Sequence, residues 1–471
     1  MPTRNPNVVL SPEEIASALR DRPHLTAQVV TIRDDKTLNP QRKLERITAL
    51  IRGDAAPPVA VPKQISELEA AQAAWRPTSA QLDGARKAAA EFGQWAIAAE
   101  EIRPSKPVGR VWSNFGGEAL ERQSMLQHVD LIDARYLISL HQHGGVVPRW
   151  QHVPPAARIN ASNVWRLWGW QRMFSLGILV LSYPWLDNAH PDQQGEQLGR
   201  IVPILKHMLE FCGGEEYSVG VLWDYCSLPQ PGRSPEEEVR FQSGLASLMT
   251  WYAHPYTHVL LMAAPLPTGA AYTNTRPYDA RGWCEVERRI CAVSKCVHCM
   301  WDYSGYSPEA LQGLEGMKLY DALRETLKTG RTPPLAPHQF AKRLRSKVES
   351  GHVSFSNASD LELVISMYER SFVGIFEHYR EFDADGFFAA YAALEWGDAE
   401  AKQIATALEY AGKHCKQQQG GGGPSRSSGG SRGAGGGVSL RLEGNRFGSA
   451  GQQAIQKAVK AARALFSGVM F

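Results

Sequence analysis

Three short apolar runs, each followed by an amphipathic segment, constrain the fold of this chain most strongly. The runs are "LGILVLSY" at 176–183, "YSVGVLWDY" at 217–225 and "THVLLMAAP" at 257–265. Each has the length of a buried strand, and the segments that follow have helical composition or spacing. Strand and helix thus alternate three times, which predicts an α/β fold with a parallel sheet flanked by helices. Ligands of such sheets bind at the carboxyl ends of the strands.

The composition is typical of a globular protein that works in water. Of the 471 residues, 43% are hydrophobic and 21% are charged, and the formal net charge is +3. So small a charge gives no general attraction to nucleic acid or membranes, and neither is an expected partner. The longest apolar run, Leu176–Leu181, is too short to span a bilayer, and the N-terminus lacks a signal peptide's apolar core. Seven scattered cysteines suggest no disulfide framework, so we expect a cytoplasmic location and leave a nuclear one open.

Changes in composition divide the chain into six predicted regions. Helices are predicted from "ISELEAAQAAW", from "QLDGARKAAAEFGQWAIAAEEI" and, starting at Leu131, from "LIDARYLISLHQHGG". The stretch "KQQQGGGGPSRSSGGSRGAGGG" has the composition of a flexible linker. The regions are a mainly helical N-terminal region (1–130), a helix with a proline-rich connector (131–172), the α/β domain (173–305), a mainly helical extension (306–415), the Gly/Ser-rich linker (416–437) and a C-terminal segment (438–471).

The C-terminal segment has a strand-turn-helix layout of its own. Its sequence "SLRLEGNRFGSAGQQAIQKAVKAA" resembles one unit of a leucine-rich repeat of the ribonuclease-inhibitor type. Only one or two such units are visible, whereas stacked repeats normally need three or more to bury their faces. We therefore expect a small repeat-like α/β element.

Two glutamates in "RGWCEVERR" (281–289) differ in their expected surroundings. On a helix, Glu285 meets Arg288 and Arg289, which predicts an ordinary solvated face of ion pairs. Glu287 instead lies beside apolar positions three and four residues away, where an unpaired charge is costly. It either pairs with a cation such as Arg281, which is the simpler alternative, or lines a pocket.

Two further clusters have both a structural and a functional interpretation. Asp224 in "VLWDYCSLPQ" ends a predicted strand, where it either caps the next turn or faces a ligand. The stretch "CAVSKCVHC" holds Cys291, Cys296, His298 and Cys299, whose C-x-x-C spacing suits zinc. A second such pair is missing, so reduced structural thiols are the default and no metal is expected.

The order of these motifs resembles the fungal heterokaryon-incompatibility (HET) domain. That domain has a strand ending in W-x-D-x-x-C-I-N-Q, an E-R-x-x-Q-V helix with M-x-x-I-Y, and R-x-W-x-x-Q-E. The matching residues here are Asp224, Gln230, Glu238, Gln242, Met249, Tyr252, Arg281, Trp283 and Glu287. The chain departs from the pattern in "CSLPQ" and at Val286, which stands in place of a glutamine.

A related resemblance is to Toll/interleukin-1 receptor (TIR) domains. "LSYPWLD" looks like the first TIR box, with Ser182, Tyr183 and Asp187 matching S-Y-x-x-x-D, and "WCEVE" looks like the W-C-x-x-E of plant-type TIR domains. Their catalytic glutamate corresponds to Glu287. Together the two resemblances cover roughly residues 174–295 and imply a TIR/flavodoxin-like sheet.

What the resemblance implies is cleavage of the nicotinamide–ribose bond of NAD, or death and defence signalling by assembly. NAD would be a substrate and not a cofactor, and Glu287 would be the catalytic residue. The alternative is a non-catalytic module that self-associates through the α/β domain and recruits partners. The implied substrate-binding residues, among them aromatic rings that could stack on nicotinamide or adenine, are Ser182, Tyr183, Trp185, Asp187, Trp223, Asp224, Tyr225, Arg281 and Trp283.

Overall fold

A six-stranded sheet organises the chain in a computed structural model. Two units can be separated, 1–67 and 68–471. In the first, the residues described before Glu67 are Ile15, Val29, Ile47 and Thr48, all helical, so most of the predicted N-terminal region lies outside the described residues, as does the predicted linker at 416–437. Beyond these positions the structure describes residues 67–104, 125–170, 177–212, 214–254, 257–268, 272–295, 297–382, 391, 394–415, 438–463 and 465–471.

The sheet is mostly parallel, as the alternating pattern predicts. Its strands lie in the order β2-β1-β4-β3-β5-β6. The last four in this order run parallel, whereas β1 is antiparallel to both β2 and β4. The strands are β1 (Leu131–Asp133), β2 (Arg158–Ile159), β3 (Ile178–Ser182), β4 (Gly220–Leu222), β5 (His258–Leu261) and β6 (Met300–Asp302).

The predicted helix at Leu131 begins three residues later than expected. Leu131–Asp133 form β1, and the helix starts at Ala134 because the Asp133 side chain accepts a hydrogen bond from the Arg135 backbone N–H at 3.0 Å. The region expected to be a helix and connector therefore contributes two strands to the sheet.

Helices cover both faces of the sheet. The two predicted N-terminal helices are present as α1 and α2. The helices are α1 (Glu67–Ala74), α2 (Ser79–Glu101), α3 (Met125–His128), α4 (Ala134–Gln142), α5 (Glu196–Cys212), α6 (Asp224–Ser227), α7 (Pro235–Ala253), α8 (Gly282–Ser294), α9 (Pro308–Leu311), α10 (Gly316–Leu327), α11 (Pro337–Glu349), α12 (Asp360–Phe382), α13 (Asp398–His414) and α14 (Ser449–Ala461). Short 3₁₀ turns occur at Trp150–His152, Pro155–Ala157, Val164–Trp170, Tyr278–Ala280, Val297–Cys299 and Tyr303–Gly305.

The two faces of the central strand β3 belong to different hydrophobic cores. Leu179 and Leu181 pack with α2, α4, α5 and α10, while Ile178 and Val180 pack with α7, α8 and α12. Successive side chains of a strand point to opposite faces, so a strand covered on both sides reads as a continuous apolar run. This explains why "LGILVL" lacks alternation.

The C-terminal segment forms the expected strand and helix. β7 (Val438–Arg441) and β8 (Phe466–Met470) make a parallel two-stranded sheet, with α14 between them in sequence. α14 packs against α13. Asn445 connects the C-terminal segment to the chain before α13. Its side chain accepts hydrogen bonds from the backbone N–H groups of Leu394 and Trp396 and donates to the carbonyl oxygens of Tyr391 and Leu442.

Each described helix is too short or too polar to span a membrane.

Candidate active site

A cleft of ≈ 590 Å³ opens at the carboxyl ends of β3 and β4. The chain leaves β3 towards β4 on one side and then crosses back to β5 on the other side of β3, so the cleft lies where the strand order reverses. Parallel sheets bind ligands at this place, and the volume is in the usual range for small-molecule sites. Its walls are the segments after β3 and β4, the α7 helix, the first turns of α8, the segment from Ser354 to Ser359 and the first turn of α12.

Glu287 lies on the wall that α8 contributes. It is 8% exposed and accepts a hydrogen bond from Ser182 Oγ at 2.5 Å. The pKa of Glu287 is raised to about 8, chiefly by burial and to a smaller extent by the negative charge of Asp224, while hydrogen bonds with Ser182 and Tyr252 oppose the rise. The carboxyl group is therefore mostly protonated at neutral pH.

Ser182 acts on Glu287 from below the cleft surface. Its side chain is fully buried and does not line the cleft, which corrects its assignment as a substrate-binding residue. Ser182 Oγ also lies 2.5 Å from the hydroxyl of Tyr278. Since Ser182 donates its proton to Glu287, Tyr278 is the donor to Ser182, and the three groups form a chain that fixes the orientation of the carboxyl.

Arg281 is not the partner of Glu287. Its guanidinium group donates to the carbonyl oxygens of Trp185, Asn274 and Arg276 at 2.6–3.0 Å. Within the described residues it makes no ion pair with Glu287. Arg281 precedes the first turn of α8 and fastens the loops on either side of the cleft, so the pocket alternative for Glu287 is the one observed.

Asp224 is a second carboxylate in the cleft. Its Oδ1 accepts from the Tyr183 hydroxyl at 2.5 Å and from the Tyr225 backbone N–H at 2.6 Å, and its Oδ2 accepts from Trp185 Nε1 at 3.2 Å. Burial raises the pKa of Asp224, and these three donors oppose that effect. Asp224 is the first residue of α6, whose N-cap residue is Trp223, and it also lines the cleft.

The aromatic rings that face the cleft are not all the expected ones. Trp223 is 0% and Tyr225 1% exposed, and both pack in the core, so neither offers a face to a ligand in this structure. This corrects their predicted stacking role. Trp185 and Trp283 do line the cleft and are half-buried. Tyr183 also reaches it while its ring packs edge-on against Trp223, with ring centres 5.4 Å apart.

Asp187 lines the cleft and fastens the loop opposite it. Its Oδ1 accepts from the backbone N–H of Thr273 at 2.9 Å and from the Thr273 hydroxyl at 3.1 Å. Trp283 is held in a similar way, because its Nε1 donates to Asp360 Oδ2 at 2.9 Å. Both predicted residues thus combine a place in the cleft with a structural bond.

The environment of Glu285 differs from the predicted solvated face. Glu285 is 6% exposed and pairs with Arg289 at 3.1 Å and with Lys347 at 3.0 Å. Arg288 pairs with Asp279 instead. The prediction was wrong because α11, more than 50 residues later in the chain, supplies Lys347 and covers this side of α8.

Sequence reasoning missed one wall of the cleft. Phe355 packs on the first residue of α8, where a Cβ on Gly282 would come 2.1 Å from its ring. Gly282 N–H donates to the Ser354 carbonyl at 3.0 Å, and Ser354 N–H donates to the Ala280 carbonyl at 3.0 Å. The only local signal for this contact is the glycine itself.

The cleft carries more acidic than basic side chains. Arg233 pairs with Glu238 at 2.5 Å and lies 4.0 Å from Glu69. Arg281 donates to carbonyl oxygens and Arg276 donates to Ser354 Oγ, so neither of these two arginines pairs with a described carboxylate. The acidic lining residues are Glu69, Asp187, Asp224, Glu238, Glu287 and Asp360, against Arg233, Arg276 and Arg281.

The cysteine cluster is only partly described. Cys296 lies outside the described residues, so the zinc hypothesis is not tested at that position. Cys291 and Cys299 are buried free thiols. In the described part of the chain, no three His, Cys, Asp or Glu side chains gather as a metal site.

No family model, curated protein or solved structure matches this chain. The assignment of a function therefore depends on the geometry of the cleft.

Proposed function

We propose that the chain is a TIR/HET-like enzyme that cleaves the nicotinamide–ribose bond of NAD, with Glu287 as its catalytic residue. The observation that carries the proposal is the position of Glu287, which lines a cleft at the carboxyl end of β3 and has no ion-pair partner among the described residues. The order β4-β3-β5-β6 supports it, because numbering these four strands in chain order gives 2-1-3-4, as at the start of a flavodoxin-like sheet.

One carboxylate suits this reaction. Nicotinamide leaves a cationic ring as a neutral molecule, so no acid has to protonate it, unlike the leaving group of an ordinary glycoside. The ribosyl cation that forms needs a nearby negative charge. Without substrate Glu287 is mostly protonated, but the positive pyridinium ring beside it would favour the ionised carboxylate.

The rest of the cleft supports a substrate with a cationic ring and an anionic tail. Its acidic lining attracts the pyridinium ring, and Trp185 and Trp283 provide aromatic surface. Arg276 is exposed and donates from Nη1 to Ser354 Oγ, so its remaining N–H groups are the donors that it offers to a diphosphate. The proposal includes a role in a death or defence response in the cytoplasm. The six described cysteines have free thiols, which is typical of proteins in a reducing compartment.

The test is nicotinamide release by the purified full chain incubated with NAD at pH 8. We expect release, and a loss of about 100-fold or more in Glu287→Gln, the size seen when one charge-stabilising group is removed. Asp321→Asn is the control, since Asp321 is a surface carboxylate of α10 in an ion pair with Arg324. Folded protein that releases no nicotinamide, even when forced to oligomerise, or a Glu287→Gln variant with full activity, would favour the non-catalytic module.

A further inference from the structure

Two consecutive residues at the end of β3 each hold one carboxyl of the cleft. Ser182 Oγ donates to Glu287, and the Tyr183 hydroxyl donates to Asp224. Successive side chains of an extended chain point to opposite sides. The dipeptide therefore brings the two carboxyls to the cleft from different directions, Glu287 from α8 and Asp224 from the segment after β4.

The surroundings of the two carboxyls favour different protonation states. Burial raises the pKa of Asp224, but three hydrogen bonds from O–H and N–H donors oppose that effect and stabilise its ionised form. Among the described residues, the side chains that hydrogen-bond to Glu287 are the hydroxyls of Ser182 and Tyr252, and burial, aided by the charge of Asp224, outweighs them and raises its pKa to about 8. A cleft that holds one protonated and one ionised carboxyl has the arrangement of enzymes that protonate a leaving group.

The tyrosine and cysteine side chains that interact with Glu287 stay neutral through this pH range. They come from α7, from the turn before α8 and from α8 itself. Burial raises the pKa of each, and they are Tyr252, Tyr278, Cys284 and Cys291. Arg281 and Arg288 are nearby cations, but Asp224 is the charged group that contributes to the raised pKa of Glu287.

We propose that the cleft also hydrolyses purine nucleosides and nucleotides, whose base is uncharged, with Glu287 as the acid and Asp224 as the carboxylate that stabilises the ribosyl cation. The inference rests on the proposed function in one respect, since the ribose occupies the same place. It differs in the leaving group, because an uncharged purine leaves only when it is protonated, and NAD requires no such step.

The reaction balances with water as the second substrate. The C1′–N9 bond breaks, its electron pair goes to the purine ring, and the proton of Glu287 passes to N7. Water then adds to C1′ and gives its proton to the Glu287 carboxylate. The products are the free purine and ribose, or ribose 5-phosphate from a nucleotide, and the enzyme returns to its starting state.

The experiment compares kcat/KM for NAD, inosine and adenosine 5′-monophosphate between pH 6 and 9, with the purified full chain. With a purine substrate Glu287 must be protonated, so kcat/KM should fall about tenfold per pH unit above pH 8. With NAD the ionised form is needed, so kcat/KM should rise about tenfold per pH unit up to the same inflection. The ionisation of Glu287 then produces a falling limb with the purine substrates and a rising limb with NAD.

Three variants identify the groups. Glu287→Gln should abolish purine release at every pH. With a purine substrate Asp224 must be ionised, so kcat/KM should also fall at low pH. Tyr183→Phe removes one donor from Asp224, which raises the pKa of Asp224 and should move this acidic limb to higher pH. A change in packing alone would not produce that shift. Asp321→Asn should leave both profiles unchanged, and circular dichroism checks the fold of each protein.

The outcomes separate the two proposals. Purine release with the falling alkaline limb supports the inference, whether or not NAD is cleaved. NAD cleavage without purine release overturns the inference and leaves the proposed function intact, and so does a purine profile that rises with pH. Purine release without NAD cleavage overturns only the proposed function. Folded protein that cleaves none of the three substrates overturns both.

Discussion

Ser182 Oγ lies 2.5 Å from Glu287 Oε2, although the two residues are 105 positions apart in the chain. The hydrogen bond joins the end of β3 to the second turn of α8, and it orients a carboxyl that burial keeps mostly protonated at neutral pH. Because the sheet supplies Ser182 and a packed helix supplies Glu287, the site depends on the correct docking of α8 on the sheet.

Removing the Ser182 hydroxyl should make Glu287 harder to ionise. The hydrogen bond lowers the pKa of Glu287, so in Ser182→Ala we expect the inflection near pH 8 to move upward by about one pH unit, the size expected for a bond to a charged group. A ¹³C NMR titration of labelled glutamate carboxyls measures it. Ser294→Ala is the matched control, because Ser294 is a buried serine of α8 whose hydroxyl donates to the Ala253 carbonyl. An unchanged inflection in Ser182→Ala would contradict the assigned bond.

Glu287 should lower the stability of the fold as pH rises. Its folded pKa of about 8 lies above the unfolded value of 4.5, so the folded chain holds a proton that the unfolded chain has lost between these values. The free energy of unfolding should then fall by roughly 1.4 kcal/mol per pH unit through this window from this group alone. Glu287→Gln removes the titration. We therefore expect the free energy of unfolding of the variant, relative to that of the parent, to increase as the pH rises from 6.5 to 8. Urea unfolding at several pH values measures the difference, and a constant difference would contradict the prediction.

The central sheet was predictable because its signals are local. A strand covered on both faces must be a short apolar run, and "LGILVL" and "HVLL" are unambiguous in that respect. The strands β1 and β2 were missed because they have only three and two residues and lie in sequence with helical or proline-rich composition. β1 pairs with β4, which is distant in the chain, and β2 pairs with β1.

The site was predictable only where secondary structure alone determines position. Asp224 follows a strand and Glu287 lies on the apolar side of its helix, and both face the cleft. The burial of Glu285 and the wall around Phe355 depend on α11 and on the segment before α12. Spacing within α8 contains no information about which distant element covers each of its faces, so these contacts had no local signal.

A methyl group on Gly282 should loosen the wall of the cleft. A Cβ there would meet the Phe355 ring at 2.1 Å, so the ring and the segment that holds it must move. We expect Gly282→Ala to cost roughly 1–3 kcal/mol, the usual cost of overpacking, and to speed hydrogen exchange of the Ser354 amide. Gly93→Ala is the control, since nothing lies within 4 Å of its Cβ position on α2, and about 0.5–1 kcal/mol of added stability is expected. Equal effects at both glycines would contradict the close contact.

Asn445 should hold the C-terminal element to the segment before α13. Its side chain makes four hydrogen bonds to the backbone, to Leu394, Trp396, Tyr391 and Leu442. Asn445→Ala leaves these backbone groups without their partner, so we expect a loss of about 2 kcal/mol or more. Hydrogen exchange of the α14 amides measures the loss locally. In Gln452→Ala a single bond, to the Phe447 carbonyl, is removed, and a loss of about 1 kcal/mol or less is expected. If the α14 amides exchange at the same rate in both variants, Asn445 does not hold the C-terminal element to the segment before α13.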